Sequence, residues 1–256
     1  MRRKAAYAFV LFVLTSLFVP VFFSPLSAAE KTNCLSCHKK LSRGKFVHLA
    51  LQMGCTACHS AINAGTVPHS KTNTIVHGLS SDQPDLCYGC HDKGKFAKTN
   101  VHPAVSMGCT GCHDPHSSKN ERLLKTKIPE LCFSCHDKAD FTRKVVHPPV
   151  AAGECLTCHS PHASDEMALL QKNKVALCLD CHPDAVHGRH APSRQPSISE
   201  QATGKTLGPI LQDPARPGKP FYCGSCHNPH SADNSYLFRF KAKSSGTLCS
   251  NCHKFL

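Results

Sequence analysis

The chain has 256 residues, among them 18 cysteines and 19 histidines but no tryptophan, and its formal net charge is +13. From residue 30 onward, Leu, Ile, Val and Phe account for only 42 of 227 residues, which is below the roughly 20% that an ordinary apolar core needs. A globular domain filled by its own side chains is therefore excluded, and another apolar group must form the interior.

The first predicted element is an export signal at residues 1–29. A basic start at residues 2–4 precedes an apolar run, and the small residues at 27–29 fit cleavage before Glu30. An uncleaved membrane anchor is the alternative, and Pro20 argues against it. No later segment is apolar enough to span a bilayer. We therefore expect a periplasmic protein without an integral membrane segment, or one that continues to the outer membrane or the cell exterior.

The motif CxxCH recurs nine times along the rest of the chain and uses every cysteine. The motifs are Cys34-Cys37-His38, Cys55-Cys58-His59, Cys87-Cys90-His91, Cys109-Cys112-His113, Cys132-Cys135-His136, Cys155-Cys158-His159, Cys178-Cys181-His182, Cys223-Cys226-His227 and Cys249-Cys252-His253. A structural zinc site would need four ligands per metal without a histidine after each pair, and a thioredoxin-like pair would occur once. CxxCH is the signature of covalent c-type haem attachment, so the sequence predicts nine haem c groups.

The spacing within each motif suits one helical turn. Cysteines at i and i+3 and a histidine at i+4 share one face of a helix, so two sulfurs can bond one porphyrin while the imidazole serves as proximal iron ligand. The predicted fold class is a mostly irregular chain with short α-helices, a haem core and little or no β-sheet. Helices are expected at residues 120–127 and 164–173.

Longer repeats pair the motifs into units. VHPAVSMGCTGCHDPHSSKNERLLKTKIPELCFSCHDK (101–138) is matched by VHPPVAAGECLTCHSPHASDEMALLQKNKVALCLDCHPD (146–184), with VH before the first motif and PH after it. Similar units at 47–93 and 222–255 follow the single motif near the N-terminus, and residues 183–220 hold seven prolines and no motif. The predicted regions are a seven-haem region at 30–182, a Pro-rich linker or loop at 183–220 and a two-haem region at 221–256.

Ten histidines remain after the nine proximal ligands, and eight of them recur at equivalent positions in the units. Four follow valine before a first motif and four follow proline after it, namely His48, His102, His147 and His187, then His69, His116, His162 and His230. We predict these eight as distal iron ligands, and one of His77 and His190 should serve the ninth haem. Because His116 cannot reach around the haem held by His113, each motif should hold one haem and ligate a neighbour.

The basic charge also allows a nucleic-acid interpretation. Removal of the signal leaves a charge of +10, and nine ferric haems with ionised propionates add about −9. The haem-loaded protein should then be close to neutral, with lysines as counter-charges for propionates, so we expect no nucleic-acid partner. The haem-free chain is expected to be unfolded.

The pattern VH…CxxCH-x-PH…LCxxCH covers nearly all of residues 33–253 and is similar to that of multihaem c-type cytochromes with doubled CxxCH repeats. The chain resembles in particular the periplasmic decahaem cytochromes of porin–cytochrome conduits, although it has nine motifs. The resemblance implies electron flow through a continuous chain of haems. It also implies donors such as a quinol dehydrogenase or small cytochromes, and acceptors such as an outer-membrane porin or outer-surface cytochromes. Other relatives are periplasmic shuttles and extracellular cytochromes, some of which form filaments.

The predicted function is therefore an electron carrier without catalytic residues. The alternative is a multihaem oxidoreductase of the nitrite, hydroxylamine or tetrathionate type, which needs an iron with an open sixth position. Such enzymes often alter one motif histidine, whereas all nine motifs here end in histidine. Met53 and Met107 are alternative axial ligands, but the third unit lacks this methionine, which favours a packing role. Ligation by two histidines throughout predicts low potentials.

Overall fold

The structure, a computed structural model, describes residues 33–185, 213, 218–219, 221–241, 247 and 250. Within these residues every helix is one or two turns long. The α-helices are α1 (Asp85–Tyr88), α2 (Glu130–Phe133), α3 (Pro148–Ala151), α4 (Cys155–Cys158), α5 (Lys174–Leu179) and α6 (Cys223–Cys226). The 3-10 helices span Cys34–Ser36, Lys39–Ser42, Leu49–Met53, Cys55–Ala57, Val76–Gly78, Lys93–Lys95, Pro103–Met107, Cys109–Gly111, Glu121–Leu123, Lys138–Phe141, Met167–Leu169 and Ser235–Leu237.

Strands of two residues pair into antiparallel ladders. They are β1 (Phe46–Val47), β2 (Ile62–Asn63), β3 (Ser70–Lys71), β4 (Asn100–Val101), β5 (Ser117–Ser118), β6 (Val145–Val146), β7 (Ala163–Ser164) and β8 (Ser231–Ala232). β2 pairs with β3 inside the first unit, whereas β1–β5, β4–β7 and β6–β8 each join one unit to the next. Each of the first three units is therefore hydrogen-bonded to the next unit along the chain. These ladders are too short to form an extended sheet.

The ladders between units bring the VH segment of one unit against the PH segment of the next. The VH histidine donates its backbone N–H to the carbonyl of the PH histidine at 2.8–3.0 Å, in the pairs His48–His116, His102–His162 and His147–His230. Gly44 lies at the first of these crossings, where a Cβ would stand 2.5 Å from the backbone nitrogen of Ser118. A side chain at this position would push the two backbones apart.

Side chains contribute almost nothing to a core. In the part of the chain that the structure describes, the buried hydrophobic residues are three alanines, Ala61, Ala163 and Ala232. By contrast, Leu49 and Met107 are 74% and 76% exposed. A buried Leu or Met stabilises a fold by about 1.5–3 kcal/mol, and the buried hydrophobic residues of the described part of the chain include neither. The predicted fold class, mostly irregular with short helices, is confirmed, and the lack of a side-chain core agrees with an interior formed by another group.

The helices predicted at 120–127 and 164–173 are wrong. Single 3-10 turns stand in their place, at Glu121–Leu123 and Met167–Leu169. The middle residues of these turns, Arg122 and Ala168, have φ of 54° and 56°, a left-handed conformation in which a right-handed helix cannot continue. The physical reason is a contact from each turn to a motif histidine in a neighbouring part of the chain, described below.

The predicted regions are only partly covered by the described residues. The predicted signal at 1–29 lies outside them, as does most of the predicted linker at 183–220. Residues 221–241 pack on the third unit through β6–β8 and through a hydrogen bond from the Arg143 backbone to the Ser231 hydroxyl at 3.3 Å. Among the helices of the described residues, none has the length and apolar character required to cross a bilayer.

Candidate haem-ligand sites

Eight of the nine motifs lie in the described residues, and each forms one helical turn. In each of them the backbone N–H of the motif histidine donates to the carbonyl of the first cysteine at 2.9–3.1 Å. This bond between residues i+4 and i sets the thiols and the imidazole on one side of the turn. The sixteen cysteines of these motifs form no disulfide. The ninth motif, Cys249, Cys252 and His253, lies outside the described residues.

The histidine of each unit's first motif is oriented by a carbonyl from a left-handed turn. Its Nδ1 lies 2.7–2.9 Å from that oxygen in the pairs His59–His77, His113–Arg122, His159–Ala168 and His227–Tyr236. The residue that offers the carbonyl has φ between 54° and 59° in all four units. Because a carbonyl only accepts, Nδ1 carries the hydrogen and Nε2 keeps a free lone pair, which is the arrangement of a metal-binding histidine.

In the described residues, the VH histidines that precede a first motif are oriented in the same way by the next unit. The acceptor is the carbonyl of the proline in the PH pair, in the contacts His48–Pro115 at 2.8 Å, His102–Pro161 at 2.9 Å and His147–Pro229. His69 in the first unit donates from Nδ1 to the Thr66 carbonyl at 2.7 Å. These rings therefore also present Nε2 as the free nitrogen.

Seven motif histidines of the described residues face a second histidine across a gap. The ring centres lie 5.8–6.2 Å apart, with interplanar angles of 7–37°, in the pairs His38–His69, His59–His116, His91–His48, His113–His162, His136–His102, His159–His230 and His182–His147. Two rules describe the pairs made by the units. The second-motif histidine faces the VH histidine of its own unit, and the first-motif histidine faces the PH histidine of the next unit. The N-terminal motif faces the PH histidine of the first unit.

The gap between the rings has the width of a metal with two imidazole ligands. Rings stacked in van der Waals contact would be about 3.5–4 Å apart. A bond of about 2 Å from metal to each nitrogen, with about 1.1 Å more to each ring centre, places the centres about 6 Å apart. In one ring of each pair Nδ1 is used by a backbone carbonyl, so Nε2 is the nitrogen of that ring available for the metal. The donor set thus fits an iron held between two histidines.

A zinc interpretation finds less support. Within the described residues, no three His, Cys, Asp or Glu side chains converge on one point as they would around a metal that they alone ligate. Pairs of imidazoles without a third converging ligand in the described residues instead suit a metal whose other ligands come from a macrocycle. Met53 and Met107 are 69% and 76% exposed and belong to none of the pairs.

His77 differs in position from the other candidate distal histidines. It occupies the place that Arg122, Ala168 and Tyr236 hold in the other units, and its carbonyl contacts the His59 ring. The other candidates that no pair includes, His187 and His190, lie outside the described residues. Sequence reasoning misses all four carbonyl residues, because a backbone acceptor can belong to any side chain and these four share no chemistry.

Cysteines of successive motifs contact one another in the described residues. The first cysteines share a hydrogen bond in the pairs Cys34–Cys55, Cys87–Cys109, Cys132–Cys155 and Cys178–Cys223. Burial and then the neighbouring thiol raise the pKa of Cys87 to about 11, and contact with Cys178 lowers the pKa of Cys223 to about 6. Electrostatic interactions of second cysteines continue the series in the pairs Cys58–Cys87, Cys112–Cys132 and Cys158–Cys181. Motifs that lie next to each other in space are therefore successive motifs in the sequence.

The contact between the third and fourth motifs includes two hydrogen bonds between a pair of polar residues. The Gln83 amide donates to the Thr110 hydroxyl at 3.1 Å and its carbonyl oxygen accepts from the Thr110 backbone at 3.2 Å. Thr110 lies between Cys109 and Cys112, and Gln83 is four residues before Cys87. The two hydrogen bonds hold the third and fourth motifs together.

Burial favours the neutral form of four histidines that the sequence predicts as distal ligands. It lowers the pKa of four imidazoles, those of His116, His147, His162 and His230. A lower pKa favours the neutral ring, which is the form that binds a metal. Asp114 opposes the effect at His116, where its carboxylate oxygen is 3.7 Å from Nδ1. Ser160 and Asn228 hold the equivalent position in the next two units, so the carboxylate is particular to one site.

The comparison with known families follows the same units. The family model described as "Doubled CXXCH motif" matches residues 48–96, 102–141, 147–187 and 213–256, which together are 174 of the 256 residues. No curated protein shows a significant match to the chain. The four matched segments coincide with the four two-motif units, and such motifs indicate covalently bound haem c. The chain belongs to the doubled CXXCH motif family, and its repeats are those of a multihaem c-type cytochrome.

Proposed function

We propose that the chain is a nonahaem c-type cytochrome that carries electrons along a row of haems, each held between two histidines. The observation that carries the proposal is the set of seven imidazole pairs with ring centres 5.8–6.2 Å apart. When bound, haem c supplies a one-electron couple whose potential depends on its axial ligands. Two histidines per site leave no position for a substrate, which suits electron exchange rather than catalysis.

The proposed ligands follow the pairing rules. All eighteen motif cysteines form the thioether bonds, the nine motif histidines are the proximal ligands, and the eight histidines of the VH and PH pairs are distal ligands. Extended beyond the described residues, the first rule assigns His187 to the site of His253. Neither rule assigns a distal histidine to the site of His227, and His190 is proposed for it. His77 is proposed to act through its carbonyl alone.

Electrons are proposed to pass from site to site in the order of the motifs. Support comes from the sulfur contacts, which link the first motif to the second, the third to the fourth, the fifth to the sixth and the seventh to the eighth. The pairing of each first motif with a histidine of the next unit supports the same order. Each ladder between units aligns these histidines through the backbone, so the chain itself keeps the spacing between sites constant.

The cellular setting of this carrier is proposed from the sequence and the resemblance. The signal-like segment at 1–29 and the compartment in which such haems are attached support export to the periplasm. Resemblance to porin–cytochrome conduits supports a quinol dehydrogenase or a small cytochrome as the donor. It also supports an outer-membrane porin or an outer-surface cytochrome as the acceptor.

Cyanide binding, combined with a reductive titration, tests the proposed function. The oxidised protein should take up nine electrons per polypeptide and return them to an oxidant, and cyanide should leave its visible spectrum unchanged over minutes. Nitrite, hydroxylamine and tetrathionate should not be turned over by the reduced protein. One site that binds cyanide within seconds, together with turnover of one of these substrates, would establish the enzyme alternative instead.

A further inference from the structure

The N-terminal end of the chain has an unusual charge pattern. Residues 33–81, here called the N-terminal basic segment, contain five lysines and arginines and no aspartate or glutamate. The cations are Lys39, Lys40, Arg43, Lys45 and Lys71, and all five side chains are exposed. Four of them fall within seven residues immediately after the first motif. Lys71 is two residues from His69, whose ring faces His38, so it belongs to the same site.

These cations are not needed to neutralise propionates. Residues 82–185 contain five motifs, yet they carry 12 basic against 13 acidic residues, so five haems require no excess of cations there. With ferric haems and ionised propionates the N-terminal basic segment, which has two motifs, keeps a charge of about +3, and residues 82–185 reach about −6. A structural role as counter-charges would give the middle of the chain the larger excess, which is the opposite of what is found.

The segment also lies at an end of the row of sites. The sulfur contact of the first motif is with the second motif, through Cys34 and Cys55, whereas the second to seventh motifs each have neighbours on both sides in the series. Within the described residues, no carboxylate forms an ion pair with any of the five cations. Lys45 Nζ lies 5.2 Å from the centre of the Phe46 ring, and Lys71 Nζ donates to the Ile75 carbonyl at 3.4 Å.

We propose that the N-terminal basic segment is the docking surface for an acidic redox protein that exchanges electrons with the first haem. This inference rests on the proposed function and adds the chemistry of one partner to it. Opposite charges at the two surfaces raise the rate of productive encounters about 10- to 1000-fold at low salt, and the effect falls steeply as salt screens the charges. The acidic middle of the protein, residues 82–185, repels the same partner and so directs it to the two ends of the chain. Residues 186–256, at the other end, also carry more basic than acidic residues.

The location of the cations favours a protein partner over an anionic lipid surface. Four of them follow the motif of a terminal redox site, on the 3-10 helix Lys39–Ser42 and the loop after it, and Lys71 lies on the two-residue strand β3. A helix that lies on a membrane needs a broad apolar face beside its basic one, and this segment has no helix long enough to offer one in the described residues. A weak, charge-steered encounter is also what fast electron exchange between proteins requires, because the partner has to leave after each transfer.

The test uses the haem-loaded protein, reduced flavodoxin as an acidic one-electron donor, and two variants of equal net charge. One variant carries Lys39→Glu, Lys40→Glu, Arg43→Glu and Lys45→Glu. The matched control carries Lys93→Glu, Lys95→Glu, Lys125→Glu and Lys127→Glu, whose side chains are likewise exposed. Haem content and the visible spectrum are compared first, and stopped-flow reduction is then followed at low and high salt. A small neutral mediator reports electron uptake that does not depend on docking.

The first variant should be reduced by flavodoxin about tenfold more slowly than the matched control at low salt, and the difference should vanish at high salt. Equal rates for the two variants, or a wild-type rate without salt dependence, would overturn the docking proposal while the mediator still reduces every haem. Failure of the mediator to reduce the wild type would instead refute the proposed function. Binding to phosphatidylglycerol vesicles that is lost in the first variant, with flavodoxin rates unchanged, would assign the surface to a membrane.

Discussion

Replacement of His116 by alanine tests the cross-ligation scheme at a single site. The His116 ring faces His59 at 6.1 Å with an interplanar angle of 7°, although His116 follows the motif of His113 in sequence. His116→Ala should therefore leave one iron with a single histidine, and that iron should belong to the haem of Cys55 and Cys58. The backbone bond from His48 to the His116 carbonyl remains in the variant, so the ladder that joins the two units is preserved.

The size of the effect follows from the number of sites. One iron in nine should change from low spin to high spin, which is about 11% of the ferric iron. The potential of the altered haem should rise, because a neutral water is a weaker donor than imidazole. Electron paramagnetic resonance of the oxidised protein, integrated against the haem concentration, measures the high-spin fraction. His77→Ala is the matched control and should give no high-spin iron, since the carbonyl that orients His59 is retained.

A second background identifies which haem has changed. With Cys55→Ala and Cys58→Ala the second motif loses its haem, and adding His116→Ala should produce no high-spin signal. A high-spin iron that persists in this triple variant would place His116 on the haem of its own motif. The pairing scheme would also fail if His116→Ala in the wild-type background left all iron low spin.

Three further outcomes are expected. Gly44→Ala should lower the free energy of unfolding by about 1–3 kcal/mol, because the new Cβ meets the Ser118 backbone. The control is Gly111→Ala, whose Cβ would have no atom within 4 Å. Its free energy of unfolding should stay within about 0.5 kcal/mol of wild type in the same guanidinium titration. Similar losses in both variants would contradict the close approach of Gly44 to the Ser118 backbone. Ala168→Gly should stabilise the protein by up to about 1 kcal/mol, since φ at this position is 56°, and a destabilised variant would refute this. Protein made without haem attachment should show the circular dichroism of an unfolded chain, and a cooperative thermal transition would contradict this expectation.

The sequence predicts the features that depend on recurring types of side chain. The cysteine spacing leads to the one-turn motifs, and the recurrence of VH and PH leads to the histidines that the structure brings opposite His59, His91 and their equivalents. The low content of large aliphatic residues predicts the absence of a side-chain core. These properties depend on which residues are present and at what distance, and both can be counted in the sequence.

Features that depend on the backbone are harder to predict. The turn at Arg122 is left-handed because its carbonyl meets the ring of His113, and the polar and apolar residues around it have the periodicity of a helix. The strands of the ladders between units are two residues long, which is too short for an alternation of apolar and polar residues to predict them. Which histidine faces which motif depends on these ladders, and the sequence therefore suggests cross-ligation without the rule that assigns the partners.

The proposed function requires iron held between two histidines at every site. Near-infrared magnetic circular dichroism of the fully oxidised protein, scaled to a haem count per polypeptide, reports the axial ligands of all ferric haems at once. We expect nine haems per chain, all with the signal of paired imidazoles. A haem count well below nine, or a substantial fraction of haems with a single histidine or a methionine ligand, would contradict the proposed function.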